Sequence, residues 1–344
     1  MRTLVISDLH LGSRLDRDVL RRPAALAALL GALDGIDRLV LLGDVVEMLE
    51  GRPRVAMELA EPVLQELGAA MGPGREIVVV AGNHDHALVR PWLRSRIAAG
   101  RPIGLAARVP VASGAALARL TGFLKPARVR VQYPGTWVGP GVWATHGHYL
   151  DRHLVPEDRR GASLLGVVPA DHATAEDYEA ASGPSLAALQ GLLAMTLPSV
   201  VGEPLDVLAG LTRRAAFAAL PIAAALPGGA RLAPLSAGVL GFQFRRSGLP
   251  AMAQVAVRMG PRAHHVIFGH LHRGGPVPGD EPAEWQPLGR RRLRNTGSWV
   301  YEPLLLAGAE PGHVYWPGGA VLVEDGAAPR YLSLLDDVDP AELR

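Results

Sequence analysis

Asp8 and His10 stand two residues apart, directly after the apolar run Leu4-Val5-Ile6. A carboxylate and an imidazole are both metal ligands. Residues i and i+2 of an extended chain share a face, so a strand end can aim both at one ion. Taken alone the pair recurs by chance, and a solvated loop or a core histidine explains it as well. Four further polar groups repeat the arrangement, each behind its own apolar run. They are Asp44 with Glu47 after Arg38 to Leu42, Asn83-His84-Asp85 after Glu76 to Ala81, His146 and His148 after Gly141 to Thr145, and His270 and His272 after His265 to Phe268. Asp, Asn and His together suit Mn, Fe, Zn or Mg. The chain has no cysteine, which excludes disulfides, Cys-ligated zinc and a Cys nucleophile.

The elements that must position these groups follow from periodicity. Short apolar strands alternate with segments whose apolar residues recur at helical spacing: Arg21 to Leu33, and Val55 to Ala70, where Pro62 predicts a kink or a break. A further helix is expected after Asp85, interrupted near Pro91. Strand–helix–strand order suits a sheet covered by helices, and in such sheets ligands collect at the carboxyl ends of the strands. From Pro102 to Val129 no period is clear. Arg128 to Gln132, Leu293 to Tyr301, Ala320 to Glu324 and Arg330 to Leu335 also read as β segments.

Written together the clusters are D-x-H, G-D-x-x-E, G-N-H-D, H-G-H and G-H-x-H. In these motifs and their order the chain resembles the calcineurin-like metallophosphoesterase superfamily. The resemblance runs from the N-terminus to about Tyr301, leaving out Asp151 to Met259. It implies an α/β fold, a four-layer β-sandwich flanked by helices. It also implies two divalent ions, Mn2+ first, with Fe, Zn or Mg as alternatives. One ion would be held by Asp8, His10, Asp44 and His272, the other by Asp44, Asn83, His146 and His270, with Asp44 bridging. A metal-bridging hydroxide would then attack phosphorus in line, and His84 would protonate the leaving-group oxygen. Glu47, three residues after Asp44, is the anionic partner expected for His84; Asp85 is expected to orient its loop.

Other residues carry two readings each. Asn83, Arg14, His148 and Arg152 are candidate substrate contacts. Arg152 belongs to a basic group with Arg159 and Arg160 that suits a second phosphate, yet surface arginines and a supporting histidine fit equally. Asp151 and His153 belong either to the site wall or to a solvated loop. The Asn295-Thr296-Gly297-Ser298-Trp299 turn either lines the pocket or joins strands. His86, His264 and His265 read as structural.

Between the fourth and fifth motifs lies an insertion of about a hundred residues, too apolar for a solvated linker. Residues 183–202 and 215–230 carry no charge. The first is just long enough to span a bilayer, but Gln190, Gly191 and Pro198 interrupt it. The domain reading is a phosphoesterase core over 1–154 and 260–344, with an apolar, mainly helical cap over 155–259. A greasy cap beside a metal site suggests a phosphoester or pyrophosphate substrate with an apolar, lipid-like part. The chain also looks similar to the UDP-2,3-diacylglucosamine pyrophosphatase branch, although many members of that branch carry Arg where this chain has His84. A cyclic-nucleotide phosphodiesterase and a nuclease of the same superfamily are the alternatives. Net charge +2 speaks against a nucleic-acid partner. The remaining expectations are a cytoplasmic location, with peripheral membrane contact through the cap and homo-oligomerisation left open. A non-catalytic scaffold would be expected to have lost ligands, and none is missing.

Overall fold

The computed structural model describes residues 1–153, 171–181, 248–287, 289, 291–303, 305–306 and 309–343. Most of the predicted cap, with residues 183–202 and 215–230, Arg159 and Arg160, lies outside them. The strands are β1 (Arg2–Ile6), β2 (Arg38–Leu42), β3 (Glu76–Val80), β4 (Ala107–Arg108), β5 (Arg128–Tyr133), β6 (Gly135–Gly139), β7 (Val142–Thr145), β8 (His265–Phe268), β9 (Gly274–Gly275), β10 (Arg292–Thr296), β11 (Gly319–Glu324) and β12 (Arg330–Ser333). The helices are α1 (Pro23–Ala32), α2 (Pro53–Met71), α3 (Arg90–Ala98), α4 (Ala115–Phe123) and α5 (Ala175–Ala180). Residues 248–258 are also helical.

Two sheets result, in the orders β12-β11-β1-β2-β3-β5-β4 and β6-β7-β8-β10-β9. β1, β2, β3 and β5 run parallel in the first, and β7, β8 and β10 in the second. Alternation along each strand divides the core. Val5, Val40, Leu42, Val78 and Val80 of the first sheet pack with Val142, Ala144 and Ile267 of the second. Leu4, Ile6, Leu39, Leu41, Ile77 and Val79 point the other way, into the larger cluster that contains Met57, Val63, Leu64 and Leu67 of α2. Strands buried on both faces read as continuous apolar runs, which is why they were visible in the sequence. Leu249, Met252, Val255 and Ala256 of the 248–258 helix belong to the same large core.

The structure sharpens two proline expectations: no break occurs at Pro62, and the interruption near Pro91 falls just before it, at Val89. α2 runs through Pro62 as one helix. Pro62 and Glu58 are both exposed, so the carbonyl freed at position i−4 faces water while the apolar stripe stays intact. Pro91 does not interrupt α3; it lies in the first turn, where a missing N–H costs nothing. Before it, His86–Leu88 forms a separate 3-10 turn. β4, β6 and α4 lie in or beside stretches where Gly, Ala and Pro gave no period.

Candidate metal centre

The carboxyl ends of β1, β2 and β3 in one sheet, and of β7 and β8 in the other, deliver the five polar clusters to one place. The backbone turns sharply there. Asp8, His10, Asp44, His270 and His272 adopt left-handed φ of 54°, 44°, 52°, 67° and 55°, a conformation costing roughly 1–2 kcal/mol per non-glycine residue. Backbone hydrogen bonds hold it: His10 N–H donates to the Asp44 carbonyl at 2.8 Å and Asp8 N–H to the Gly43 carbonyl at 3.1 Å. Across the sheets, His270 N–H donates to Asp8 Oδ2 at 2.9 Å. The close approach demands glycine at position 82, where a Cβ would lie 2.2 Å from Asp44 Oδ1 and 2.8 Å from His146 Cδ2.

The ligand-type atoms fall into three groups, each within 4.8 Å: Asp8, His10 and His272; His10, Asp44 and His84; and Asp44, His146 and His270. Asp44 Oδ2 stands 3.2 Å from His146 Nε2 and 3.7 Å from His10 Nε2, so one oxygen faces both flanking groups. His272 Nε2 lies 3.4 Å from Asp8 Oδ1. Asn83 Oδ1 lies 2.9 Å from His146 Nε2.

This donor set fits cations. His146 Nδ1 donates to the Leu42 carbonyl at 3.0 Å, so in the neutral ring Nε2 is an acceptor. It then faces two more acceptors, Asn83 Oδ1 and Asp44 Oδ2, and a positive centre must sit among them. Without a metal a proton takes that role: burial lowers the His146 imidazole, but the Asp44 charge outweighs it and holds it up at about 9. His10 Nε2 is buried with no hydrogen-bond partner. Asp8 and Asp44 are buried carboxylates, and among the described residues their ion-pair partners are histidines only. Buried anions of this kind need pairing or a metal.

His84 and Glu47 meet as expected, Nδ1 lying 2.6 Å from Oε2. It is a close charge contact rather than an aligned hydrogen bond, because His84 Nδ1 makes none. Burial pushes the imidazole down; the charges of Glu47 and then Asp44 reverse this and hold it up at about 10. Glu47 has a second task that the sequence did not disclose. Its Oε2 also accepts from His10 Nδ1 at 2.8 Å, while Oε1 accepts from the N–H groups of Leu49 at 2.8 Å and Glu50 at 3.1 Å.

Asp85 ties loops together, accepting from Gly82 N–H at 2.7 Å and Val45 N–H at 2.8 Å; burial, then Asp44, pushes its carboxyl up to about 6. His148 lies beside His146 (ring centroids 5.6 Å apart); burial, then His146, holds its imidazole down at about 3. Arg14 is exposed, its backbone N–H bound to Glu50 Oε2 at 3.1 Å. Arg152 is half-buried in the 3-10 segment His148–His153. Near the end of β10, Asn295 accepts from Gly297 N–H at 2.9 Å and donates to the Gly269 carbonyl at 2.8 Å, bracing the loop before His270. Asp151, left open above, meets His270 Nε2 at 3.0 Å.

Residues 1–163 match the model of the calcineurin-like phosphoesterase family. The chain carries a calcineurin-like phosphoesterase domain. The match takes in the first four motifs and stops before His270 and His272, which the fold returns to the same centre through β8. The family hydrolyses phosphoric esters with metal ions, so the phosphoesterase is a metal-dependent hydrolase of that class. No curated protein matches the chain. Among the described residues, no helix is long and apolar enough to cross a membrane.

Proposed function

We propose that the protein is a dinuclear phosphoesterase in which Asp8, His10, Asp44 and His272 hold one ion and Asp44, Asn83, His146 and His270 the other. The observation that carries this reading is Asp44 Oδ2, one buried carboxylate oxygen facing His10 Nε2 at 3.7 Å and His146 Nε2 at 3.2 Å. Bound there, divalent ions supply charge for the phosphoryl oxygens and an ionised water at neutral pH. The chain's own residues do the rest. Asn83 and His146 fix one wall of the site. His84 is held as the imidazolium by Glu47 and Asp44 and gives its proton to the leaving oxygen. Glu47 stays anionic, recovers the contact with neutral His84 and holds His10 in the tautomer whose Nε2 is bare.

The finer substrate reading is a phosphoester or pyrophosphate with an apolar part. The uncharged stretches 183–202 and 215–230, inserted between the fourth and fifth motifs, support it. The deciding experiment compares Mn2+-loaded protein on an aryl phosphodiester, an aryl monoester and an acylated sugar nucleotide. Preference for the acylated substrate is expected. No turnover of any of them would sink the enzyme reading, and indifference to the acyl chain would sink the apolar-substrate reading alone. In a parallel assay, His84→Ala is expected to lose most turnover on an ester with a poor leaving group.

A further inference from the structure

The short helix α5 lies inside the insertion, yet its side chains pack against the segments that flank the site. Glu179 accepts from Tyr149 Oη at 2.8 Å, from Tyr133 Oη, and from His86 Nε2 at 3.1 Å. Tyr178 stacks flat on Tyr149, ring centroids 4.6 Å apart and 6° from parallel, and its hydroxyl meets His153 Nε2 at 2.8 Å. Thr174 and Asp177 close a reciprocal cap on the helix, and Ala173 N–H donates to the Arg258 carbonyl at 3.0 Å. Tyr149 and His153 belong to the 3-10 segment His148–His153. α5 therefore grips that segment at both ends.

Between those two grips stands Asp151. Its Oδ1 lies 3.0 Å from His270 Nε2. A carboxylate accepts only, so Nε2 carries the proton and Nδ1 is the nitrogen left to ligate. A carboxylate behind a ligating histidine fixes its ring and tautomer, and its loss typically weakens metal binding about 10–100-fold.

We propose that Asp151 is a positioning residue for His270, and that α5, through Glu179 and Tyr178, holds Asp151 in place. The insertion then does more than face the substrate: it completes one half of the metal centre. The inference rests on the two-ion reading above, and the following measurement separates the two. Apo full-length protein is titrated with Mn2+ by calorimetry, and bound Mn2+ is read by electron paramagnetic resonance. Wild type is expected to bind two ions with a spin-coupled spectrum. Asp151→Ala is expected to lose affinity for one ion about 10–100-fold, with the other unchanged and an uncoupled spectrum at intermediate Mn2+. Asp151→Asn keeps an acceptor oxygen and is expected to recover part of that loss. Glu179→Ala is expected to weaken the same ion, and Glu179→Gln less so. Circular dichroism and melting curves confirm that each variant is folded. Wild type that binds no Mn2+ overturns the two-ion reading and this inference with it. Two-ion wild type with Asp151→Ala unchanged, or weakened equally at both ions, overturns the positioning role alone. Unchanged binding in Glu179→Ala removes the insertion from it.

Discussion

Replacing Glu47 by Gln exchanges one carboxylate oxygen for an NH2 group and tests the proton economy of the site. Each carboxylate oxygen has its own partners: Oε1 takes two backbone N–H groups, and Oε2 stands 2.8 Å from His10 Nδ1 and 2.6 Å from His84 Nδ1. The glutamine NH2 cannot replace Oε1 without meeting two donors, so it must face the imidazoles. His10 Nδ1 then becomes an acceptor, its proton moves to Nε2, and the lone pair that faced Asp44 is lost. His84 loses the largest influence that raises it to about 10, and burial carries it downward. With an ordinary imidazole value the acid form at pH 7.5 falls to about a tenth, and lower with burial. A general acid is worth roughly 10²–10⁴ in rate, about 3–5 kcal/mol. The assay is kcat across aryl and alkyl phosphodiesters at saturating Mn2+. The expected loss in Glu47→Gln is about 10-fold for the alkyl ester, rising towards 10²-fold as burial empties the acid form further, and distinctly smaller for the aryl ester, whose leaving group needs no proton. Equal losses on both would refute the assignment of the acid, since a general defect in metal loading falls on both alike.

Gly82→Ala would drive a Cβ into Asp44 Oδ1 at 2.2 Å; it is expected to abolish Mn2+ binding seen by calorimetry, while overpacking costs only about 1–3 kcal/mol of stability in denaturant. Chelation with EDTA should remove activity, and Mn2+ should restore it and raise Tm in proportion to occupancy; a Tm indifferent to Mn2+ would contradict the site. Glu179 gives an acid-stability signature. Its burial raises the carboxyl, but His86 and Tyr133 outweigh this and hold it at about 2, below the usual 4.5. A lowered folded value stabilises above the unfolded one, so the contribution is complete above pH 4.5 and drains as pH falls towards 2. At about 1.4 kcal/mol per unit this is about 3 kcal/mol. Urea melts should show wild type losing stability to Glu179→Gln over that window; a constant difference from pH 6 to 2 would count against it.

What the sequence disclosed and what it hid have a common physical cause. Asp8, Asp44, Asn83, His146 and His270 follow strands buried on both faces, and such strands announce themselves as unbroken Val, Ile and Leu. The polar residues ending them therefore stood out, and their order carried the family. Glu179 and Asp151 had no such signal. Glu179 sits in an ordinary six-residue helix, Ala175–Ala180, and reaches Tyr149 and His86 from 30 and 93 residues away. Asp151 meets a histidine 119 residues further on. Only tertiary packing makes those pairs, and local spacing cannot report it. The same limit hid the second task of Glu47: G-D-x-x-E aligned it with His84, while its contact with His10 depends on the left-handed turn at φ 44°, which strand periodicity does not encode. The reaction class is thus written at strand ends, in residue types. The tuning of each ligand is written in carboxylates placed behind histidines, Glu47 behind His10 and Asp151 behind His270. One belongs to a motif and the other hangs on the insertion, so divergence of the insertion can alter one ion's hold while leaving every motif intact.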